Sequence, residues 1–324
     1  MTNAIRIHET GGPEVMRWEA ADVGDPGPGE VRLRHTAVGL NFIDVYFRTG
    51  LYPAPTSPFV PGMEGAGEVV AVGSGVTALG VGDRVAYAPV LGAYAEERLI
   101  PANKVVKIPD GVDDRTAAAM MLQGMTAEYL LRRTYEVKKG DTLLFHAAAG
   151  GVGLIACQWA KHLGATVIGT VGNEEKAELA RAHGCDHPII YSQEDFVARV
   201  KAITNGEGVP VVYDSVGKDT LMKSLDCLAP RGLLVSFGQS SGSVDPFDIG
   251  LLAAKGSLYV TRPTLMTYAA SRADLELSAN ALFDVVGKGA VKISVNQSFA
   301  LEDAAKAHEA LEGRKTTGST VLLP

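Results

Sequence analysis

The chain has 324 residues, of which 46% are hydrophobic and 21% charged, with a formal net charge of −7 at pH 7. This composition is typical of a folded globular protein and excludes an intrinsically disordered chain. The acidic balance is not interrupted by any basic block, so we do not expect nucleic acid as the main partner. The length exceeds that of one ordinary core and predicts two domains.

The sequence has no sign of export or membrane insertion. Its first residues, "MTNAIRIHETGGPEVM", lack a charged and then apolar leader, and its apolar runs are too short to span a bilayer. The three cysteines, Cys157, Cys185 and Cys227, follow no motif spacing, as in a reducing compartment. We expect a cytoplasmic protein without a membrane anchor, whose cysteines are small buried apolar residues.

The first third of the chain is rich in glycine and proline. The segments "EVRLRHTAVGL", "GAGEVVAVGSGV" and "GDRVAYAP" alternate apolar and polar residues, which predicts half-buried strands with glycines at turns or bulges. We therefore predict a mostly β domain over residues 1–124. The strand "GSTVLLP" at the chain end is predicted to return to it, so that residues 296–324 belong to the same domain.

From Asp113 onward, helices and strands alternate. The segment "DDRTAAAMMLQGMTAEYLLRRT" has helical spacing, with acidic residues in its first turn. The strands "TLLFHA", "ATVIGTV", "HPII", "VPVVYDSVG", "RGLLVSFG" and "GSLYVTR" follow, most of them separated by helices. This order predicts an α/β domain over residues 125–295, with a doubly wound parallel sheet covered by helices. Two last helices, about 274–288 and 301–312, are predicted to flank a strand "VKISV".

The segment "HAAAGGVG" joins the first of these strands to a helix and is interpreted as a dinucleotide-binding turn, in which Ala148 replaces the first glycine. Glycines in the turn let the backbone approach a ligand, and Gly153 lets the helix pack closely on the sheet. A pyrophosphate would meet the N–H groups at the positive end of the helix. The predicted cofactor-binding residues here are Ala149, Gly150, Gly151, Val152 and Gly153. The alternative is a close-packed turn without a ligand, and His146 is interpreted as structural.

The end of the second strand indicates which dinucleotide binds. "ATVIGTV" runs into Gly172 and Asn173, with no carboxylate for the ribose hydroxyls of NAD. Lys176 would attract a 2′-phosphate, although Glu174 and Glu175 bring the opposite charge. We therefore predict NADPH rather than NADH, held in part by Gly172 and Lys176. A solvated helix lysine is the alternative for Lys176.

Six segments together have a wider pattern: "NFIDVYFRTGLYP", "PGMEGAGEV", "HAAAGGVG", "VVYDSVG", "LVSFGQSSG" and "GSLYVTRP". Over essentially the whole chain they resemble the zinc-free quinone oxidoreductases of the medium-chain dehydrogenase/reductase superfamily, the group of ζ-crystallin. The resemblance implies a GroES-like catalytic domain and a Rossmann cofactor domain. It further implies NADPH, a small quinone or electron-poor alkene bound in the interdomain cleft, and a homodimer.

The positions at which zinc-dependent relatives hold their catalytic metal have other residues here. Met63 stands where the resemblance expects a histidine, Asn41 or a neighbour replaces an early cysteine, and the third position falls near Leu122. Thioether, amide and isobutyl groups do not form a zinc site. We expect no metal and a reaction without a Lewis acid. Glu64, next to Met63, is interpreted as structural.

Without a metal, hydride transfer needs alignment and hydrogen-bond donors for the charge on the acceptor oxygen. The segment "LNFIDVYFRTGLYP", interpreted as a loop, offers Asn41, Tyr46 and Tyr52. The resemblance implies that Asn41 and Tyr46 lie beside the nicotinamide, and ordinary loop hydrogen bonding is the alternative. Asp44 is interpreted as a cap or turn residue, and Arg48 is equally consistent with a surface charge.

The resemblance implies further site residues. Those assigned to the cofactor are Thr126, Tyr191, Phe237, Gly238, Ser240 and Arg314. Arg262 either faces the acceptor, as a fourth catalytic candidate, or pairs with an acid at a dimer edge. The strand 257–261 would form the homodimer interface, since an exposed apolar edge favours strand pairing.

Three functions follow as hypotheses. The first is the metal-free reduction of quinones with NADPH, by electron or hydride transfer. The second is the reduction of an enone or alkenal double bond by the same fold. The third is a non-catalytic protein that binds NADPH or RNA, against which the intact pair Asn41 and Tyr46 argues. The sequence leaves the physiological acceptor open.

Overall fold

The computed structural model of the protein describes residues 2–324. Its strands are β1 (Thr2–Ile7), β2 (Met16–Ala21), β3 (Glu30–Leu40), β4 (Gly65–Val72), β5 (Arg84–Tyr87), β6 (Glu97–Pro101), β7 (Val106–Lys107), β8 (Thr142–Phe145), β9 (Thr166–Val171), β10 (His187–Ile190), β11 (Val209–Asp214), β12 (Leu228–Ser236), β13 (Tyr259–Thr261), β14 (Val295–Ala300) and β15 (Ser319–Leu323). Its α-helices are α1 (Phe42–Thr49), α2 (Asp114–Tyr129), α3 (Gly151–His162), α4 (Glu174–Ala182), α5 (Phe196–Ile203), α6 (Leu221–Asp226), α7 (Gly250–Ala254), α8 (Leu265–Tyr268), α9 (Arg272–Gly287) and α10 (Ala304–Glu312).

The chain divides into two compact units. The first comprises the residues up to Met125 together with Ala269–Gly287 and Ile293–Pro324, and the second comprises Thr126–Tyr268 and Lys288–Lys292. Helix α9 falls in the first unit, whereas the sequence assigned it to the second. One physical reason is Arg272, whose guanidinium donates to the carbonyl oxygens of Asn103 and Val105 in the first unit.

The second unit is built on a six-stranded sheet in the order β10–β9–β8–β11–β12–β13, and all its strand pairs are parallel. Its core includes buried residues from the central strands, such as Leu144, Ile168 and Val212. The predicted doubly wound sheet is confirmed. The order of the strands reverses between β8 and β11, which is where such sheets bind ligands at their carboxyl ends.

The first unit contains an open sheet in the order β14–β15–β3–β4–β5–β7, with β6 also paired to β3. The last strand, β15, pairs with β3, as the sequence predicted. The prediction of a strand "VKISV" was wrong, because the strand is β14, which begins at Val295. From Val295 to Ala300 burial alternates, and this segment forms the parallel ladder with β15.

The segment that follows β3 is a helix, and the prediction of a loop there was wrong. Helix α1 begins after Asn41, whose backbone N–H donates to Asp44 Oδ2 at 2.9 Å. It ends at Gly50, whose φ of 80° is the left-handed conformation that glycine adopts readily. Asp44 is therefore a capping residue, as the sequence suggested.

Candidate active site

Asn41 lies at the amino end of α1 and is almost completely buried. Its side-chain Nδ2 donates to Glu64 Oε1 at 2.6 Å, and the other carboxylate oxygen, Oε2, accepts the backbone N–H of Leu122 at 2.6 Å. Burial raises the pKa of Glu64 to about 8, although these two hydrogen bonds act in the opposite direction. The segments that contain Asn41, Glu64 and Leu122 therefore meet at one buried carboxyl group.

The opposite end of the Asn41 amide is also bound. Its Oδ1 accepts from Gln123 Nε2 at 3.1 Å, and Gln123 Oε1 accepts from Ser319 Oγ at 2.7 Å. Sequence reasoning missed Gln123 and Ser319 and interpreted Glu64 only as structural. No local sequence signal identifies this chain of hydrogen bonds, because Ser319 is 196 positions away from Gln123.

Asn41 and Leu122 lie at or near two of the positions where the resemblance places the ligands of zinc-dependent relatives. Met63 itself is buried, and Asn41 and Leu122 both donate to Glu64. A thioether and two donor groups do not make the set of imidazole, thiolate or carboxylate ligands that zinc requires. Within residues 2–324, no group of three or more His, Cys, Asp or Glu side chains is arranged to hold a metal ion.

A second polar network supports the other side of α1. Asp44 Oδ2 accepts from the Tyr94 hydroxyl at 3.0 Å, and the same hydroxyl contacts His308 Nε2 at 3.1 Å. Arg48 lies 3.0 Å from His308 Nδ1 and forms a bidentate pair with Glu312, with both N–O distances at 2.8 Å. Arg48 is only 1% exposed, so the suggestion of a surface charge was wrong.

Two tyrosine hydroxyls follow Asn41 in the chain: Tyr46 lies on α1, and Tyr52 lies just after it. The ring of Tyr46 lies 5.2 Å from that of Tyr52 in an edge-to-face arrangement, and the backbone N–H of Tyr52 donates to the Tyr46 carbonyl oxygen. Tyr46 is largely buried and Tyr52 is half-buried. Tyr46 and Tyr52 therefore contact each other, and both lie in the first unit with Asn41.

The glycine turn leads from β8 into α3. The amino end of α3 has no side-chain cap, so the N–H groups of its first turn are available to a ligand. A Cβ on Gly153 would overlap the carbonyl oxygen of Ala147, whereas one on Gly150 would meet only that same oxygen, at 3.2 Å. Gly153 thus permits close packing, and the turn fits the diphosphate of a dinucleotide.

The end of β9 also fits the predicted cofactor. Asn173 caps α4 by accepting the backbone N–H of Lys176, and the exposed Glu174 and Glu175 occupy the first turn. A Cβ on Gly172 would lie 3.2 Å from the Tyr191 hydroxyl, so Tyr191 closes over the strand end. Lys176, which is half-buried, and Tyr191, which is about half exposed, therefore lie near the end of β9, and that strand does not end in a carboxylate.

His146 has no access to a ligand. It is fully buried, with Nδ1 2.8 Å from Thr170 Oγ1 and Nε2 2.9 Å from Ser224 Oγ. Ser224 in turn donates to Asp214, a buried carboxylate at the end of β11. The network joins the ends of β8, β9 and β11 beneath the glycine turn, which agrees with a structural role.

The end of β12 contains three of the predicted residues. The backbone N–H of Phe237 donates to the Asp214 carbonyl oxygen, and Ser240 N–H donates to Ser215. Arg262 donates through Nη1 to the carbonyl oxygens of Ser236, at 2.9 Å, and Gly238, at 3.2 Å. These contacts make Arg262 a support for the strand end, a role that the sequence did not suggest.

Two further predicted cofactor residues lie elsewhere. Thr126 is buried on α2, and Arg314 is exposed just after α10 with a φ of 56°. Their assignment to the cofactor stays a prediction from the resemblance.

Comparison with known proteins gives full-length matches. The alcohol dehydrogenase GroES-like domain matches residues 27–110, and the zinc-binding dehydrogenase model matches residues 151–280. A quinone oxidoreductase of Pseudomonas aeruginosa is 57% identical over 325 residues, with 100% of both chains covered. A 2-haloacrylate reductase of Burkholderia sp is 52% identical, with 100% of this chain and 99% of that protein covered. The crystal structure of Escherichia coli quinone oxidoreductase complexed with NADPH has a TM-score of 0.98 at 50% identity, with 99% of this chain and 100% of that chain covered.

The fold and these matches define an oxidoreductase of the medium-chain dehydrogenase/reductase superfamily. Within that superfamily, the chain belongs to the quinone oxidoreductase family. The family and the fold class predicted from the sequence are thereby confirmed. None of the helices described between residues 2 and 324 has both the length and the apolar character that a membrane span requires.

Proposed function

We propose that the chain catalyses the NADPH-dependent reduction of a small quinone without a metal ion. The observation that supports this most directly is the buried donor Asn41, at or next to the position where the resemblance to zinc-dependent relatives places a cysteine ligand. Full-length similarity to a quinone oxidoreductase at 57% identity agrees with it. The bound cofactor would supply the hydride, and the protein would supply alignment and donors.

In this proposal the residues divide into two sets by their location. The glycine turn at 149–153, Gly172, Lys176 and Tyr191 bind the dinucleotide, and Lys176 attracts the 2′-phosphate. Asn41 and the hydroxyls of Tyr46 and Tyr52 donate to the oxygen of the acceptor, where negative charge develops. Arg262 supports the end of β12 through its Nη1 contacts to the carbonyl oxygens of Ser236 and Gly238.

An electron-poor alkene is the second candidate acceptor, because a relative at 52% identity is named 2-haloacrylate reductase. Reduction of an alkene also requires a proton at the α-carbon, for which Tyr46, Tyr52 or water would be the source. The same donors would then stabilise charge on a carboxylate or carbonyl oxygen.

Steady-state turnover with matched acceptors tests the assignment. We expect kcat/KM for 9,10-phenanthrenequinone to exceed that for 2-chloroacrylate and for a simple enone, with NADPH in each assay. Turnover of an alkene well above that of the quinone would reverse the order. Tight NADPH binding without turnover of any acceptor would instead favour a binding protein.

A further inference from the structure

The nitrogen and the oxygen of the Asn41 side-chain amide have different partners, so the amide has one defined orientation. Its nitrogen faces Glu64 and its oxygen faces Gln123, at 2.6 and 3.1 Å. Exchanging the oxygen and nitrogen of an amide hardly changes its shape, so its hydrogen-bond partners alone determine which way it points. One N–H of Nδ2 is committed to Glu64, and the amide has a second N–H on the same atom.

The backbone N–H of Leu122 is the one fixed donor of this set, and it sets the direction of the partners when Glu64 is ionised. This N–H donates to Glu64 Oε2 at 2.6 Å. Above its raised pKa of about 8, Glu64 is ionised and only accepts hydrogen bonds, so Glu64 Oε1 requires an N–H from Asn41. At the other end, Ser319 Oγ donates to Gln123 Oε1 at 2.7 Å, which leaves the Gln123 NH₂ group for Asn41.

We propose that Glu64 is a positioning residue for the reaction, which with Gln123 fixes the direction of the Asn41 amide and so the location of its second N–H. The inference rests on the proposed role of Asn41 as a donor to the acceptor oxygen. Glu64 is fully buried and acts through Asn41.

An exchange of the two flanking residues distinguishes direction from packing. In Glu64→Gln, the oxygen of the new amide goes to the Leu122 N–H, and its NH₂ group faces Asn41. In Gln123→Glu alone, two carboxylates compete for the Asn41 nitrogen. In the double variant E64Q/Q123E every group again has a partner, but the Asn41 amide points the other way.

The test measures the melting temperature and the kcat for 9,10-phenanthrenequinone at pH 9, above the raised pKa of Glu64. We expect Q123E to lower the melting temperature and E64Q/Q123E to recover most of that loss. The kcat of E64Q/Q123E is expected to stay about 10²-fold below that of the unchanged chain, the usual cost of one misplaced donor. The Kd for NADPH, from fluorescence, should change little.

Two results would overturn the proposal. If stability and kcat recover together in E64Q/Q123E, the carboxylate has only a structural role. If the losses in melting temperature are additive, the two positions are not coupled through the direction of Asn41, and this result does not depend on turnover.

The variant Asn41→Ala separates this proposal from the one on which it rests. If it retains full kcat, the assignment of Asn41 to the acceptor fails, and the positioning role fails with it. If Asn41→Ala loses activity while E64Q/Q123E retains it, the assignment of Asn41 stands and the positioning role alone is rejected.

Discussion

At the scale of single residues, charge and burial determine what each side chain can do. Lys176 is half-buried on α4, close to the end of β9, whereas Glu64 is fully buried and bound on both oxygens. A half-buried ammonium group can reach a charged ligand, whereas a fully buried carboxyl group acts on the residues bonded to it.

Replacement of Lys176 by alanine is expected to weaken NADPH binding and leave NADH binding nearly unchanged. One charged contact to the 2′-phosphate is worth about 1.5–3 kcal/mol, or roughly ten- to a hundredfold in Kd. Fluorescence titration with both cofactors measures the difference. Arg181→Ala, on the same helix but paired with Glu178, is the matched control. Equal losses for NADPH and NADH would contradict the assigned role.

Two buried carboxyl groups make the stability of the chain depend on pH. Burial raises the pKa of Asp44 to about 7 and that of Glu64 to about 8. Each group binds its proton more tightly in the folded chain than in the unfolded chain, so its contribution to stability falls as pH rises from its ordinary pKa, 3.8 or 4.5, to these raised values. We expect the free energy of unfolding in urea to decrease between about pH 6.5 and pH 8.

Two buried histidines have the opposite pH dependence and offset the carboxyl effect below about pH 6.5, which leaves the net decline above that pH. Burial lowers the pKa of His35 and of His308 to about 3, so their contribution is lost only as pH falls below the ordinary value of 6.5. The variant Glu64→Gln should flatten the decline above pH 6.5. An unchanged slope in that variant would show that Glu64 does not titrate in this range.

At the scale of elements, the turn between β8 and α3 was predicted from the sequence and helix α1 was missed. The sequence around Gly153 combines a strand, a glycine turn and an apolar helix, which is a strong local pattern. Helix α1 has only eight residues among glycines and prolines, although Asn41 and Asp44 have the spacing of a capping box and Gly50 follows as the stop signal. These local signals could have identified it.

Contacts between distant elements were not predictable. Gln123 on α2, Ser319 on β15 and Glu64 before β4 meet at Asn41 only because the sheet of the first unit brings their segments together. Helix α9 was assigned to the wrong unit for the same reason, since its contacts to Asn103 and Val105 leave no trace in local periodicity.

Two glycines of the same turn are expected to differ when each is replaced by alanine. Gly153→Ala places a methyl group against the Ala147 carbonyl oxygen and should cost about 1–3 kcal/mol of unfolding free energy. Gly150→Ala meets that oxygen only at 3.2 Å and should destabilise less, while it still weakens NADPH binding. Urea unfolding and cofactor titration measure both effects. A larger stability loss in Gly150→Ala would contradict this account of the turn.

At the scale of the whole molecule, we propose that β13 pairs with β13 of a second copy. The strand is at one edge of the parallel sheet, where Tyr259 is 61% exposed and Val260 is 37% exposed. Lysines at both positions should convert a dimer to a monomer in light scattering. Val81→Lys, at an exposed residue of the first unit, is the control. A monomeric unchanged chain, or a dimer that survives the two lysines, would reject this interface.

The most direct test of metal-free quinone reduction with NADPH is cofactor oxidation at 340 nm with 9,10-phenanthrenequinone in EDTA. We predict robust turnover that the chelator does not reduce, and a clear preference for NADPH over NADH. Loss of turnover in EDTA that added zinc restores, or equal rates with NADPH and NADH, would contradict the account.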